Sequence, residues 1–178
     1  MPQNDVPKSF AELLADTRHS AMHLEMRDVY GVGDEAEDFE RFKRTGEANT
    51  DPNLSFWPHW APLVTDAISR GVVMRRARIV SEPVTDYIRY EHAITPLNLQ
   101  AGELVRWLPR HQASDIALPG NDFWVLDDRL VQFNIFTGAG DWAEPGKQFT
   151  EDPAVVKLCA TAFETVWERA VPHEEFTV

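Results

Sequence analysis

Apolar and polar positions alternate through SAMHLEMRDVY. Met22, Leu24 and Met26 fall on one side, and His23, Glu25 and Arg27 on the other, the period-two pattern of a half-buried strand. Upstream, Ser9-Phe10-Ala11-Glu12 forms a capping box and predicts a helix with Phe10, Leu13 and Leu14 on its apolar face. Downstream, DEAEDFERFKRTG predicts a short acidic helix that buries Phe39 and Phe42 and ends at Gly46. The turn-rich NTDPNLSFWPHW then delivers Trp57 and Trp60 to a helix over WAPLVTDAISRG, stopped by Gly71, and VVMRRARIV follows directly as a strand.

Further along, Pro83 is placed to start a helix through VTDYIRYEHAI, with Val84, Tyr87, Ile88 and Glu91 along one side. TPLNLQAGE reads as a loop or single turn, ELVRWLP as a strand and RHQASDIALPG as a connector. FWVL and LVQFNIF read as paired strands joined across Asp127-Asp128-Arg129, and FTGAGDW as a turn. Asp152 and Pro153 open a last helix, whose broad stripe holds Val155, Val156, Cys159, Phe163, Val166, Trp167 and Ala170. This succession predicts an α/β or α+β fold: one domain over residues 1–178, with a single mixed β-sheet flanked by helices.

Composition sharpens the class. A chain of 178 residues, 43% hydrophobic and with six Trp, buries a substantial core and is not disordered. No apolar run approaches the roughly 20 residues of a membrane span. MPQNDVPKSF has neither a charged n-region nor an apolar h-region, and Cys159 has no partner for a disulfide, so a cytoplasmic protein without membrane attachment is expected. The formal net charge of −12 argues against direct nucleic-acid binding, because phosphate contacts need a basic surface. Residues 70–110 run against that balance, with seven arginines (Arg70, Arg75, Arg76, Arg78, Arg89, Arg106, Arg110) against four acids. Those arginines either pair with surrounding carboxylates or hold a small anionic ligand.

The candidate chemistry is sparse. Asp122, Asp127 and Asp128 carry hard oxygen ligands, but acids at a hairpin tip are ordinary turn residues; Asp122 lies before the strand, within reach of a pairing with Arg78, Arg106 or Arg110. His19 and His23 are four apart, which on a strand separates them by about 13 Å, so they form no zinc site, and a satisfied or exposed His is expected. Cys159 on an apolar stripe reads as a small buried hydrophobe. Neither a nucleophile elbow nor a phosphate-binding glycine loop is present, so no catalytic residue, metal or cofactor is assigned. If there is a ligand pocket, it gathers around Arg76 and Arg78, two apart and so on one strand face, with Tyr87, Arg89, Arg106, Asp122 and Trp124 around them and Asp127 as a further acidic candidate. Trp107 and Trp124, on strands that could be neighbours, and Trp57 and Trp60 near a helix start suit such a groove by stacking and cation–π contact.

Two resemblances add to this. The helix ending in Arg-Gly within SRGVVMRRARIV, the following loop and strand, and the DFWVLDDRLVQF hairpin together resemble one half of a phospholipase D-like domain. That superfamily carries H-x-K-x4-D, in which His is the nucleophile, Lys binds phosphate and Asp closes the turn. With Asp127 at the Asp position, Asp122 falls at the Lys position and Gly120 at the His position. The resemblance thus implies the fold without the nucleophile or the phosphate-binding cation. The ordered series AMHLEMRDVY, WPHWAPLVTDAISRGVVMRRARIVSEPVTDYIRYE, AGELVRWLPR, GNDFWVLDDRLV and FTEDPAVV is similar to an actinobacterial family of uncharacterised domains, over nearly the whole chain. Its members lie beside helix-turn-helix regulators of development or share an architecture with their sensing domains. That implies a non-enzymatic regulatory or ligand-sensing accessory role, exercised through a protein partner such as a transcription regulator. The alternatives are a hydrolase or nuclease with a diverged acidic site at Asp122 and Asp127, and a pure interaction protein that presents its acidic surface to a basic partner.

Overall fold

The computed structural model describes residues 8–31 and 33–178. The stretch 1–7, which supplies most of the segment read for a leader, lies outside the described residues. Among the described residues, seven strands make one mixed sheet in the order β6-β5-β4-β1-β2-β3-β7. Strands β1 (Ser20–Glu25), β2 (Val73–Val80) and β3 (Leu104–Pro109) run parallel. Strands β4 (Asp122–Leu126), β5 (Leu130–Phe136) and β6 (Trp142–Thr150) extend the sheet antiparallel on the β1 side, and β7 (Val171–Pro172) pairs antiparallel with β3. Helices α1 (Phe10–Asp16), α2 (Ala36–Thr45), α3 (Trp57–Ser69) and α4 (Asp86–Ala101) precede β4, and α5 (Pro153–Arg169) follows β6. The fold is α+β with a single mixed sheet flanked by helices, as the sequence predicts.

Period-two alternation divides the sheet into unlike faces. Met22, Leu24, Ala77, Ile79, Leu108, Phe123, Val125 and Val131 point to α5 and close an apolar core with its Phe163 and Val166. On the opposite face the apolar packing is split in two. Ala21, Met74, Leu126 and Leu130 pack with residues of α1 and α3, whereas Val80, Val105 and Trp107 pack with residues of α4. Between these two cores the strands present polar side chains, and there the cleft forms.

Two of the longer elements differ from the sequence expectation, and the two-residue β7 has no counterpart in it. Helix α4 starts after an N-cap at Thr85, whose side chain accepts the Ile88 N–H, and it continues through Pro96 across the expected loop to Gly102 at φ +106. Ile94, Leu97 and Ala101 keep its buried side going, and that packing outweighs the helix-breaking tendency of the proline. Strand β6 occupies a stretch expected to begin as a turn; Pro145, Gly146 and a mostly exposed surface leave it without period-two patterning. The capping box, the Gly46 stop, the β4–β5 hairpin and the Asp152 cap all form as expected.

The hairpin tip shows why its acids are there. Asp127 (φ +53) and Asp128 (φ +49) take the left-handed conformation at the two central positions of the turn that the Arg129 N–H closes on the Leu126 carbonyl at 3.0 Å. Asp127 also accepts the backbone N–H groups of Arg18, His19 and Ser20 at 2.8, 2.7 and 3.0 Å, fastening the start of β1 to the hairpin. Partial burial disfavours its charge, but those three donors prevail and hold its pKa below the ordinary carboxylate value. Asp127→Asn keeps the left-handed tolerance and loses the charged acceptor, so it should cost about 1–3 kcal/mol in urea unfolding. Asp128→Asn should be close to neutral; equal losses at the two positions would remove the fastening role from Asp127.

Candidate functional site

Two lateral rows of side chains cross the helix-covered face of the sheet. Strand register sets Arg76, His23, Trp124 and Gln132 side by side, one each from β2, β1, β4 and β5. Two residues along each strand lies the second row: Arg78, Glu25, Asp122 and Asn134, with Lys147 of β6 opposite Asn134. These rows floor a cleft of about 350 Å³, walled by Phe10 and Trp60 on one side, by Tyr87 and Ile94 of α4, and by Phe136 and Trp142 at the β5–β6 end. Each strand alternates, so a face holding His23 and Glu25 leaves Met22 and Leu24 for the α5 core.

The buried charges at the β1–β2 side of the floor satisfy one another. Glu25 gives one oxygen to Arg76 Nη1 at 2.7 Å and the other to Arg78 Nε at 2.6 Å. Arg76 Nε reaches Glu103 at 2.9 Å, and Arg78 Nη2 reaches Glu91 at 2.5 Å. Glu103 in turn accepts from Trp60 Nε1 at 2.7 Å and Asn98 Nδ2 at 3.0 Å. Three carboxylates therefore serve two guanidiniums. Burial pushes the Glu25 pKa up, but the Arg78 and Arg76 charges overcome it and leave the group well below the ordinary carboxylate value. Both guanidiniums also face aromatic rings, Arg76 at 5.7 Å from the Trp60 and Trp124 centroids and Arg78 at 4.9 Å from Trp107.

At other groups here burial disfavours the charged form. Asp122 accepts from the Met26 N–H at 2.9 Å and from the Tyr30 hydroxyl, yet burial, reinforced by the nearby Glu25 charge, raises its pKa to about 7. Tyr87 Oη lies 2.8 Å from Glu35 and 3.0 Å from Glu91. One hydroxyl proton cannot serve two carboxylates, so a proton on Glu35 completes the chain; burial and the Glu91 charge raise the Glu35 pKa accordingly. His23 stacks on Trp124 at 4.1 Å and 13°, and burial lowers its pKa to about 3, so the imidazole is neutral. Neither of its ring nitrogens has a hydrogen-bond partner among the described residues, nor has Gln132 Oε1.

Of the candidates from sequence, Arg76, Arg78, Tyr87, Asp122 and Trp124 meet in this cleft. Arg89 does not: its side chain is exposed and 4.0 Å from Asp86. Arg106 lies on the α5 face of the sheet, donating to the Trp167 carbonyl at 2.9 Å and covering its ring. Asp127 is at the far end of β4 from Asp122, five residues or about 17 Å by strand rise, so the two do not form one acidic site. Asp122 takes Tyr30 and Met26 in place of an arginine, while Arg110 turns to Asp28 and the Met26 carbonyl. Trp107 and Trp124 are not on neighbouring strands, since β1 and β2 stand between β3 and β4. His23, expected to be satisfied or exposed, is buried without a hydrogen bond, its Nδ1 3.6 Å from Glu25. Glu25, Gln132 and Asn134 are not among those candidates, because period-two alternation puts them on the polar side of half-buried strands and only the helices packed over that face bury them. Among the described residues, no group of three or more His, Cys, Asp or Glu is arranged to hold a metal ion.

A family model described as a domain of unknown function (DUF6879) matches residues 8–178. None of the curated proteins matches the chain. Among solved structures, Nuc from Salmonella typhimurium, a phospholipase D family member, is similar with a TM-score of 0.50 and 11% identity, covering 91% of this chain and 86% of that one. The phospholipase D-like fold implied by the hairpin is thereby shown. TrmBL2, described as an archaeal chromatin protein with a novel mode of DNA binding, is similar with a TM-score of 0.47 and 14% identity over 90% of this chain; the chain spans 48% of its length. The partner expectations are corrected accordingly. Exclusion of direct nucleic-acid contact, read from net charge, does not stand beside a structural neighbour described as binding DNA, although that likeness assigns no DNA binding to this chain. The small anionic ligand loses its footing because carboxylates already occupy both cleft arginines, and nothing in the comparisons supplies a protein partner. No helix of the described residues is long and apolar enough to cross a membrane.

Two buried groups titrate with opposite effects. Asp122 holds its proton up to about pH 7 when folded and loses it near the ordinary carboxylate value when unfolded, so its contribution to stability falls as pH rises through that interval. His23 takes up a proton near pH 6.5 when unfolded and only near 3 when folded, so its contribution falls as pH drops. Relative to the parent chain, Asp122→Asn should therefore gain stability as pH rises from about 4 to 7, and His23→Gln should gain as pH falls from about 6.5 to 3. Urea midpoints across pH 4–7.5 measure both, and pH-independent differences would contradict the assignment.

Proposed function

The chain belongs to the family described as a domain of unknown function (DUF6879), and we propose that it serves as a non-enzymatic, ligand-sensing regulatory domain whose receptor site is the cleft above the sheet. One observation carries this reading. A cleft of about 350 Å³, of a size to take a small molecule, has aromatic walls and a floor where His23 and Gln132 are buried without partners. The regulatory, cytoplasmic and actinobacterial setting implied by the sequence resemblance is part of the proposal.

The phospholipase D-like comparison supports the non-catalytic side through chemistry. The positions of the nucleophilic His and the phosphate-binding Lys correspond to Gly120 and Asp122, and the imidazole in the cleft, His23, is stacked on Trp124 and neutral. A buried carboxyl in place of an ammonium offers a phosphodiester no counter-charge. Asp127, the position retained, fastens the hairpin to β1.

Small-molecule extract from the native cells should contain a component that perturbs tryptophan fluorescence and raises the melting temperature of the purified chain. At a hundredfold excess over Kd the gain is about 2.7 kcal/mol, or roughly 5–10 °C for a domain of this size. No shift with any fraction, together with phosphodiester cleavage that Asp122→Ala abolishes, would replace the sensing role with hydrolysis.

A further inference from the structure

We infer that the cleft recognises a planar, amine-bearing nitrogen heterocycle of the aminopyrimidine or aminopurine type, bound as the neutral or cationic base in preference to its phosphorylated form. This rests on the sensing role proposed above and adds the ligand class.

Planarity follows from the walls. His23 and Trp124 stack face to face, which leaves the outer faces of the stack to the cleft, and Trp60 and Phe10 stand beside Trp124 at centroid distances of 6.0 and 4.6 Å. Across the cleft, Phe136 and Trp142 pack at 4.5 Å. A slot between such faces favours a flat ring over an aliphatic chain of equal volume.

The edge recognition follows from Gln132 and Asn134. Their amides face each other from adjacent positions on one side of β5, with Gln132 Nε2 donating to Asn134 Oδ1 at 2.9 Å. That bond uses one carbonyl and one amide nitrogen. Whichever way the two amides are turned, one carbonyl and one NH2 remain for another molecule, because reversing both exchanges their roles and preserves the count. The remaining carbonyl, Gln132 Oε1, is buried without a partner, and Gln132 is only 2% exposed. An acceptor beside a donor complements a ring nitrogen beside an exocyclic amine. Neutral His23, 6% exposed, has no hydrogen bond at either ring nitrogen; with Nδ1 3.6 Å from Glu25, Nε2 adds an acceptor on the same row.

Charge sets the preference for the base. Of the acids at the floor, Asp122 and Glu35 hold protons, while Glu25 and Glu91, with Glu103 beyond Arg76, outnumber Arg76 and Arg78 by one charge. The two arginines are committed to Glu25, Glu91 and Glu103, which leaves Lys147 at the rim as the cleft-lining cation without a salt-bridge partner among the described residues. A phosphate or carboxylate entering the floor meets carboxylates, whereas an amine meets acceptors.

The test is calorimetry and tryptophan fluorescence on the full chain with adenine, cytosine and 2-aminobenzimidazole, alongside AMP and benzoate. At least one of the three bases should bind, and AMP and benzoate should bind at least tenfold more weakly. Gln132→Leu should weaken the binding base at least tenfold. Asn134→Asp, which keeps an acceptor for Gln132 Nε2 and removes the amide donors, should weaken it also and serves if the leucine variant fails to fold. Tighter binding of AMP or benzoate than of any base, or unchanged base affinity in both variants, overturns the inference. If cell extract stabilises the chain and none of the bases does, the ligand class falls and the sensing role survives; if neither does, both fall.

Discussion

One carboxylate organises the centre of this molecule. Glu25 places an oxygen on each of two arginines from the neighbouring strand, and those arginines carry the charge onward to Glu103 behind α3 and to Glu91 on α4. Charges so deeply buried are tolerable only as a set. Removing one member of such a group costs about 3–5 kcal/mol, because the remaining charge is stranded in a medium of low polarity. The network therefore fixes the register of β1 on β2 and the seat of α4 on the sheet. It also explains why the helix-covered face has two apolar cores where the α5 face has one.

Much of the fold was legible because hydrophobic periodicity and end signals agreed. The Ser9–Glu12 box, Gly46, the Asp127-Asp128 turn and the Asp152-Pro153 start are local devices whose chemistry depends on few distant contacts. Pro96 was misleading for the opposite reason: tertiary packing of Leu97 and Ala101 overrides a local breaking signal. Strand β6 carries no alternation to read, since most of its surface is in solvent. The site was half legible. Arg76 and Arg78 declared a common face by their spacing, and Asp122 and Trp124 did the same on β4. Pairing β1 with β4, and β4 with β5, brings Gln132 and Asn134 beside them, and strand order is not contained in any single segment. Arg106 illustrates the remaining failure, because an arginine on the third strand points to either face according to a one-residue difference in phase.

The likeness to a phospholipase D family member shows the fold alone, and the duties of the hairpin acids follow from their own contacts. Asp127 fastens the hairpin to β1 through three backbone N–H groups. Asp122, at the other end of β4, accepts from Tyr30 and from the Met26 N–H where the chain leaves β1. A shared fold thus leaves function to the single side chains placed on it.

The position of β1 has a kinetic consequence. It is the first strand in the chain and the middle one of the sheet, bonded on one side to β2 and on the other to β4, with Asp127 reaching back more than a hundred residues to its first amides. Closing loops of that length comes before the contacts that reward it, so this topology folds on the slow, millisecond-to-second side of small domains. Until β4 arrives, one edge of β1 and the polar face beside it stand open to water, and the cleft is among the last parts of the molecule to exist.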